Sequence, residues 1–325
     1  MIEILFLERD SVDPDGIDLS PIERLGSVRY LDTRDPDEQF RAAKSADALI
    51  INKTVLTREF LAACPKLKCV CLLATGYNNV DLDAAREFGI AVCNVPGYST
   101  DSVAQLTFAF ILNAATNMIP YADSVRDGDW ARCKSYTYYR WEIRELAGKT
   151  IGIIGFGHIG RRVAEIARAF GMRVLVHTRT VPDDASGKDA FVTFLPLSDV
   201  LENADFVTLH CPLTEQTRAL INRDTLSHMK KTAFLINTSR GAVVDEQALT
   251  EALNSGQIAG AGIDVLDPEP MREDCLYRNA KNILITPHIA WAAREARERL
   301  IAEVAENLKA FQDGTLRNRV DILRP

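Results

Sequence analysis

The segment Ile151-Gly152-Ile153-Ile154-Gly155-Phe156-Gly157-His158-Ile159-Gly160 decides the fold of this chain. A short apolar run ends in Gly-x-Gly-x-x-Gly, and apolar residues then recur at helical spacing as far as Phe170, so the pattern predicts a strand, a tight turn and a helix. In such a unit Gly155 allows the turn, Gly157 lets a pyrophosphate approach the backbone, and Gly160 lets the helix pack close to the strand. The segment therefore predicts a dinucleotide site. Similar glycines also occur in plain tight turns and in adenosyl-binding folds.

Length, charge and cysteine content narrow the class of protein. A chain of 325 residues is long enough for about two domains, and 47% hydrophobic with 26% charged residues is an ordinary globular composition. Lys and Arg total 38 against 45 Asp and Glu, and no dense basic run occurs, so nucleic acid and anionic membranes are not expected as partners. The seven cysteines lack Cys-x-x-Cys spacing, which predicts reduced thiols and no metal site.

No segment has the pattern of a secretory signal or a transmembrane span. The N-terminal apolar residues are interrupted by Glu3 and Glu8, and the most apolar window, residues 103–119, contains several polar side chains. We therefore expect a cytoplasmic protein.

Short apolar segments alternate with helical patterns throughout the chain and predict two doubly wound, parallel-sheet α/β units. The predicted strands of the first unit are residues 2–7, 28–31, 48–51, 69–73 and 90–93. Those of the second are residues 151–154, 174–176, 206–209, 233–236, 258–263 and 283–285. Thr75 and Gly76 follow the fourth strand, where backbone amides either bind a ligand or form only a tight turn.

Two features of the second unit suggest a subunit interface. Residues 103–119 predict a helix that is apolar on nearly all sides and must be buried all round, either by a partner subunit or deep in a core. Residues 126–139 are aromatic-rich and irregular, which fits an arm that crosses to a partner or a local aromatic cluster. We expect a homodimer.

Three charged residues follow strands of the second unit. Arg240 precedes Gly241, Glu269 lies between two prolines, and His288 follows Pro287. A guanidinium can clamp a carboxylate, and a His beside a fixed carboxylate can donate a proton to a carbonyl oxygen. Each residue alone also fits a structural role, such as a surface ion pair.

Taken together, the motifs resemble the D-isomer-specific 2-hydroxyacid dehydrogenases. The resemblance covers nearly the whole chain and rests on the order of the glycine motif, Asn237-Thr238-Ser239-Arg240-Gly241, Asp264-Val265 through Pro268-Glu269-Pro270, and Pro287-His288-Ile289-Ala290. The segments around Asn52-Lys53-Thr54, residues 75–81, residues 94–100 and His288-Ile289-Ala290-Trp291 are most similar to glycerate dehydrogenases, also called hydroxypyruvate reductases.

The resemblance implies a domain organisation and a reaction. Residues 1–99 and 296–325 would form a discontinuous, flavodoxin-like substrate-binding domain, and residues 100–295 an NAD(P)-binding Rossmann domain, with a cleft between them and a dimer through the cofactor domains. The implied reaction transfers hydride between NAD(P)H and a small 2-oxo acid to give a D-2-hydroxy acid. Hydroxypyruvate or glyoxylate would give D-glycerate or glycolate.

The resemblance also implies roles for individual residues. Arg240 would bind the substrate carboxylate and carbonyl, and Glu269 would pair with His288, the proton donor. The amides near Thr75 and Gly76, with Lys53, would complete the substrate pocket. The cofactor would further contact His158 and Ile159 at the pyrophosphate, Cys211 and Thr238 near the adenosine and ribose, and Asp264 at the carboxamide.

One departure from the family pattern concerns the choice of cofactor. NAD-preferring members carry an acid at the end of the second strand, where it binds the ribose hydroxyls. Here Thr178 and Arg179 stand at that strand end, and a guanidinium with a hydroxyl suits a ribose phosphate. We therefore expect NADP(H), with NAD(H) still possible.

Other functions remain open at this point. A dinucleotide-sensing protein, similar to the corepressors that resemble this family, would keep the fold and the cofactor site. A dehydrogenase selective for phosphoglycerate or D-lactate would keep the chemistry as well. An adenosyl-dependent methyltransferase would leave Arg240, Glu269 and His288 unexplained.

Overall fold

The computed structural model describes residues 2–181 and 190–322, which form two compact α/β units. The first unit combines Met1–Ser99 with Trp291–Pro325, and the second is Thr100–Ala290. The chain thus enters the first unit again at Trp291, whereas the family resemblance implies residue 296.

The elements alternate along the chain. The strands are β1 (Ile2–Leu7), β2 (Gly26–Leu31), β3 (Ala48–Ile51), β4 (Cys69–Leu72), β5 (Ala91–Cys93), β6 (Thr150–Ile154), β7 (Arg173–His177), β8 (Val192–Phe194), β9 (Phe206–Leu209), β10 (Phe234–Asn237), β11 (Gly260–Ile263) and β12 (Ile283–Ile285). The helices are α1 (Ser20–Glu23), α2 (Pro36–Ala43), α3 (Arg58–Ala62), α4 (Leu82–Glu87), α5 (Thr100–Thr116), α6 (Met118–Arg126), α7 (Asp129–Arg132), α8 (His158–Ala169), α9 (Leu197–Asn203), α10 (Arg223–Ser227), α11 (Glu246–Ser255) and α12 (Arg294–Gln312).

The first unit is a parallel five-stranded sheet in the order β2-β1-β3-β4-β5. Every residue of β3 and β4 is buried, as expected of parallel strands that are covered on both faces. The strand order reverses between β1 and β3, and in such folds ligands bind beyond the carboxyl ends of the strands at this switch point.

The C-terminal part of the chain completes the first unit. Helix α12 packs Leu300 and Val304 into the apolar cluster that also holds Phe6 of β1. Beyond it, the N–H of Val320 donates to Val92 O at 2.9 Å, which adds the tail to the edge of the sheet at β5. The tail is described as far as residue 322.

The second unit is a parallel seven-stranded sheet in the order β12-β11-β10-β9-β6-β7-β8. Its switch point lies between β6 and β9, so the glycine motif after β6 stands where a doubly wound sheet binds its ligand. Two parallel doubly wound sheets confirm the predicted fold class. The strand pattern does not predict β8, which has three residues and pairs with β7 at the end of the strand order.

The prediction of a single helix over residues 103–119 is wrong. Asn117 adopts the left-handed conformation, with φ of 52°, so α5 ends at Thr116 and α6 begins at Met118. The side chain of Asn113 accepts a hydrogen bond from the N–H of Ile119 at 3.0 Å and so stabilises the start of α6. Leu112 and Ile119 are 36% and 41% exposed in the single chain. The run is therefore not buried all round within one subunit.

No single helix within residues 2–181 and 190–322 has both the length and the apolar character needed to cross a membrane. The pair α5 and α6 meets these criteria only when the two are taken together, and they are bent by 63°.

Candidate functional site

The glycine motif forms a compact turn among the ends of three strands. Gly155 has φ of +94°, and a Cβ atom there would lie 2.6 Å from the backbone nitrogen of Cys211, which follows β9. A Cβ atom on Gly160 would lie 2.2 Å from Gly155 O. The N–H of Gly155 donates to His177 O, at the end of β7, at 2.8 Å. Any side chain at these two glycines would force the turn apart.

Gly157 has a different environment. It precedes α8, and a Cβ atom there would have no neighbour within 4 Å, so its backbone faces open space. The N-cap of α8 is Gly157, which has no side chain to cap the helix, and α8 begins with His158 and Ile159. The first N–H groups of a helix have no partner within it, and the helix dipole favours an anion at this end. The three glycines and the start of α8 therefore fit the pyrophosphate of a dinucleotide.

Cys211 and Thr238 follow the neighbouring strands β9 and β10. Burial raises the pKa of the Cys211 thiol to about 11, so this thiol is neutral at physiological pH. The buried hydroxyl of Thr238 lies 3.3 Å from the hydroxyl of Thr107 on α5. The Thr107 hydroxyl donates a hydrogen bond to Val103 O. Thr107 cannot be selected from local sequence, because this contact joins residues far apart in the chain.

His210, between β9 and Cys211, is not among the predicted site residues. The residue as a whole is partly buried, but both ring nitrogens are fully buried without a hydrogen-bond partner among the described residues. Burial lowers the pKa of His210 to about 3, so its ring is neutral at physiological pH. Such an orphaned ring beside the glycine turn is a group that a bound ligand or water can satisfy. Its position directly after β9 was the available signal.

Thr178 and Arg179 directly follow β7. The strand register pairs Ile154 of β6 with His177 of β7. The backbone of Thr178 therefore lies next to the glycine turn, and Arg179 follows it. Thr178 is partly buried and Arg179 is exposed. No carboxylate within residues 2–181 and 190–322 forms an ion pair with Arg179.

Arg240 lies in a turn that the side chain of Asn237 holds. Asn237 Oδ1 accepts from the N–H and hydroxyl of Ser239, and its Nδ2 donates to Arg240 O at 2.9 Å. The partly buried guanidinium donates to Ser239 O at 2.8 Å. No described carboxylate lies within ion-pair distance of Arg240, so the alternative role as a surface ion-pair partner has no support in this part of the chain.

The turn with Arg240 packs against the loop that carries Glu269. A Cβ atom on Gly241 would lie 2.0 Å from the carbonyl carbon of Leu266, a distance that only glycine permits. The N–H of Leu266 in turn donates to Glu269 Oε1 at 3.1 Å. This close approach joins the loops that follow β10 and β11.

Glu269 and His288 form a direct pair. Glu269 Oε2 lies 2.6 Å from His288 Nδ1, and the two side chains are 28% and 25% exposed. Because a carboxylate only accepts hydrogen bonds, Nδ1 carries a proton and Nε2 is the ring atom that can exchange one with a ligand.

The carboxylate of Asp264, which is 1% exposed, holds the loop of His288 in place. Oδ1 accepts from the Thr286 hydroxyl at 2.6 Å and from the N–H of Ile289 at 2.9 Å, and Oδ2 accepts from the N–H of Ala290 at 2.9 Å. Burial raises the pKa of Asp264 above its usual range, although these hydrogen bonds oppose the shift. Thr286 is a further residue that the sequence did not reveal.

Arg240, Glu269, His288 and Asp264 thus share one edge of the second sheet, beyond the carboxyl ends of β10, β11 and β12. Lys53, Thr75 and Gly76 belong to the first unit, where they follow β3 and β4. Thr75 is held there through its carbonyl, which accepts from Asn94 Nδ2 at 2.7 Å. Within residues 2–181 and 190–322, no group of three or more His, Cys, Asp or Glu side chains is placed to hold a metal ion.

Comparison with known proteins reveals a family resemblance over most of the chain. The model of the D-isomer specific 2-hydroxyacid dehydrogenase, NAD binding domain, matches residues 108–290. A hydroxypyruvate reductase of Blautia hydrogenotrophica is 36% identical over 98% of this chain and 100% of its own length. A glyoxylate reductase of Aeropyrum pernix is 42% identical over 84% of this chain and 82% of its own length.

Solved structures are similar to this chain over nearly its whole length. D-lactate dehydrogenase of Aquifex aeolicus, complexed with NAD and lactic acid, has a TM-score of 0.86 and 31% identity, over 99% of this chain and 100% of its own. The acyclic imino acid reductase Bsp5, in complex with NADPH and D-Arg, has a TM-score of 0.87 and 28% identity, over 98% and 100% of the two chains.

Proposed function

Because the chain belongs to the D-isomer-specific 2-hydroxyacid dehydrogenase family, we propose that it reduces a small 2-oxo acid to the D-2-hydroxy acid, with hydroxypyruvate or glyoxylate as preferred substrate. The pair of Glu269 and His288 at 2.6 Å carries this proposal. A pure binding protein needs the glycine turn but has no need of a His with its tautomer set by a carboxylate.

His288 is the proton donor in this proposal. Its Nε2 proton passes to the carbonyl oxygen of the substrate. The resulting neutral ring takes up a proton from solvent before the next turnover. Glu269 stabilises the imidazolium and orients the ring. Asp264 fixes the backbone on which His288 is carried, through its bonds to Ile289 and Ala290. A bound nicotinamide would supply the hydride for the carbonyl carbon.

Arg240 is the principal substrate-binding residue. Its planar guanidinium offers parallel N–H groups that match a carboxylate and the neighbouring carbonyl oxygen of a 2-oxo acid. We assign the backbone amides near Thr75 and Gly76, together with the exposed cation of Lys53, to the substrate carboxylate.

The cofactor is a nicotinamide dinucleotide, held by the glycine turn and the start of α8. For the choice between its two forms we propose NADP(H), because Thr178 and Arg179 stand at the end of β7 where a carboxylate would favour NAD(H). The similar proteins include one solved with NADPH and one with NAD, so both remain compatible with the fold. Cys211, Thr238 and the region of Asp264 are assigned further cofactor contacts.

We further propose a cytoplasmic homodimer. The seven cysteines are all unpaired, as in a reducing compartment. The segment from α5 to residue 143 exposes an apolar surface that a second copy would cover. Its exposed members are Leu112, Met118, Ile119, Val125, Trp130, Tyr136, Tyr139 and Ile143. Sedimentation at micromolar concentration tests the proposal, and a monomer would contradict it.

The activity is tested with the purified protein and both reduced cofactors. Oxidation of NADPH and NADH is followed by absorbance with hydroxypyruvate, glyoxylate, pyruvate and phosphohydroxypyruvate. We expect the highest kcat/KM with hydroxypyruvate or glyoxylate, and a product of D configuration. Failure of every 2-oxo acid to oxidise either cofactor, in a protein that binds the cofactor by fluorescence titration, would favour a dinucleotide-sensing protein instead.

A further inference from the structure

Glu8 follows β1 and has a buried carboxylate, with 2% of the residue exposed. Its Oε2 accepts hydrogen bonds from the backbone N–H groups of Asn52, Lys53 and Thr54 at 3.0, 2.8 and 3.0 Å, and from the Thr54 hydroxyl at 3.0 Å. Consecutive N–H groups that converge in this way form a concavity that binds anions. This concavity follows β3, at the switch point of the first sheet, and the side chain of Glu8 fills it.

The same three residues are held from a second side. Asn79 Nδ2 donates to the carbonyl oxygens of Asn52 at 3.2 Å and Thr54 at 2.9 Å. Each residue that flanks Lys53 therefore has its N–H bound to Glu8 and its C=O bound to Asn79. Asn52 and Thr54 are 8% and 7% exposed, whereas Lys53 between them is exposed. The network thus presents one exposed cation on a fixed backbone.

Glu8 itself has an unusual backbone conformation that its neighbours maintain. Its φ of 61° and ψ of 36° lie in the left-handed region, which is sparsely populated by residues with a side chain. Glu8 O accepts from the hydroxyl of Ser11 at 2.7 Å, and the Ser11 hydroxyl accepts from Asn52 Nδ2 at 2.8 Å. Conformations of this kind persist where the surroundings over-determine them, and they cluster at functional sites.

Asn79 also connects Lys53 with the second proposed substrate-binding segment. It closes the loop that contains Thr75 and Gly76, and its backbone carbonyl accepts from the N–H of Leu56 at 2.8 Å. The loops after β3 and β4 are therefore joined through both the side chain and the backbone of Asn79. A shift of either loop has to move the other.

We propose that Glu8 and Asn79 are positioning residues, which hold Lys53 and the Thr75-Gly76 loop in the one arrangement that receives the carboxylate of the 2-oxo acid. The carboxylate of Glu8 accepts the hydrogen bonds of the N–H groups in the Lys53 loop. The substrate carboxylate therefore binds the side chain of Lys53 and not these N–H groups. This inference rests on the proposed function, since it assigns the two loops to substrate binding.

A double-mutant cycle tests the inference. We expect Glu8→Gln and Lys53→Met each to raise the KM for hydroxypyruvate about tenfold, with a smaller change in kcat, because both act on binding. If Glu8 acts through Lys53, the double variant has the KM of Lys53→Met alone. Asn79→Ser, which acts on the same backbone from the opposite side, should also raise KM. An unchanged midpoint of urea denaturation shows that the first unit of each variant is folded, and unchanged affinity for NADPH, measured by fluorescence, shows that the second unit is intact.

Asp47→Asn is the matched control. Asp47 precedes β3, at the opposite end of the strand from Asn52, and its carboxylate likewise accepts a backbone N–H, that of Glu3, at 2.8 Å. We expect the wild-type KM in this variant. A normal KM in both Glu8→Gln and Asn79→Ser, or strictly additive effects in the cycle, would overturn the positioning role. A wild-type protein that reduces no 2-oxo acid would instead overturn the proposed function itself.

Discussion

Glu269 Oε2 lies 2.6 Å from His288 Nδ1, and the two residues come from loops that follow the neighbouring strands β11 and β12. The described residues contain a second pair of this type, in which His228 Nδ1 lies 3.1 Å from Glu202 Oε1. That pair joins the end regions of two short helices and is more exposed, with side chains 38% and 55% accessible. The two pairs share the chemistry and differ in location, so each mutation at the first has a matched control at the second.

Replacing His288 with Ala removes the proposed proton donor. General acid catalysis contributes about a hundredfold to ten-thousandfold in rate, so we expect kcat to fall by that order in His288→Ala. Affinity for the cofactor should stay near the wild-type value. His228→Ala should retain wild-type kcat. Near-normal turnover in His288→Ala would refute the proposed mechanism.

Replacing Glu269 with Gln tests the coupling of the pair. Reduction requires the imidazolium and oxidation the neutral ring, so kcat/KM should fall with rising pH in the reductive direction and rise with pH in the oxidative direction. Gln at position 269 keeps a hydrogen-bond acceptor for Nδ1 but removes the negative charge that faces the imidazolium, so kcat/KM in the reductive direction should fall in Glu269→Gln. Glu202→Gln serves as the control. An unchanged kcat/KM in Glu269→Gln would mean that the two residues are not coupled.

Replacing Arg240 with Lys keeps the charge and removes the planar fork. We expect kcat/KM with 2-oxo acids to fall by about tenfold to a hundredfold, which corresponds to about 1.4 to 2.8 kcal/mol. The control is Arg218→Lys, because Arg218 is an exposed cation that lies 3.8 Å from Asp267 on the loop next to Arg240. Equal, small effects in both variants would show that Arg240 is not a substrate-binding residue.

The sequence predicts those features that depend on short segments. Eleven of the strands, the glycine turn and the residues at strand ends follow from local patterns, since an apolar run that stops at Gly, Asn or Pro marks a strand end in any α/β protein. Arg240, Glu269 and His288 could be selected for this reason, and the parallel sheet then brings their loops to one edge.

The features that the sequence did not reveal depend on contacts between distant segments. Thr107 becomes relevant only when α5 packs against the end of β10, and Glu8 only when the loop after β3 closes around it. The break at Asn117 has a different cause, because the apolar residues on both sides of it obscure the helix-end signal of Asn117 followed by Pro120. Short edge strands such as β8 also escape pattern analysis, since three residues do not establish a period.

The buried ring of His210 predicts a pH dependence of stability. Burial lowers its folded-state pKa to about 3, below the ordinary value of 6.5, so the unfolded chain binds a proton that the folded chain does not. The ring therefore does not destabilise the folded state above the unfolded-state pKa of about 6.5. As pH falls from about 6.5 towards about 3, the free energy of unfolding decreases by roughly 1.4 kcal/mol per pH unit. Between pH 7 and pH 5, we expect the free energy of unfolding to decrease by about 2 kcal/mol less in His210→Asn than in wild type.

Urea denaturation at the two pH values measures this difference. His228→Asn is the comparison variant, because the side chain of His228 is 38% exposed and pairs with Glu202, whereas both ring nitrogens of His210 are buried. The same loss of stability in wild type and His210→Asn would show that the ring is protonated in the folded protein or reaches solvent.

Arg179 determines the preference for NADPH in the proposed function. It follows β7 by two positions, next to Thr178, and the pairing of Ile154 with His177 fixes the alignment of this strand end with the glycine turn. A guanidinium there forms charge-assisted hydrogen bonds to a ribose phosphate that NADH lacks, and the absence of a carboxylate at residues 178–180 removes a repulsion that would exclude NADPH.

We therefore expect wild type to prefer NADPH in kcat/KM by about tenfold to a hundredfold, which corresponds to about 1.4 to 2.8 kcal/mol. Arg179→Ala should lose most of this preference while its kinetics with NADH stay nearly unchanged. The matched control is Arg173→Ala, because Arg173 is an exposed cation at the opposite end of the same strand. Both cofactors must be compared at one ionic strength, since salt screens the interaction. Equal losses with the two cofactors, or a wild-type preference for NADH, would place Arg179 outside the phosphate site and make NAD(H) the cofactor of this protein.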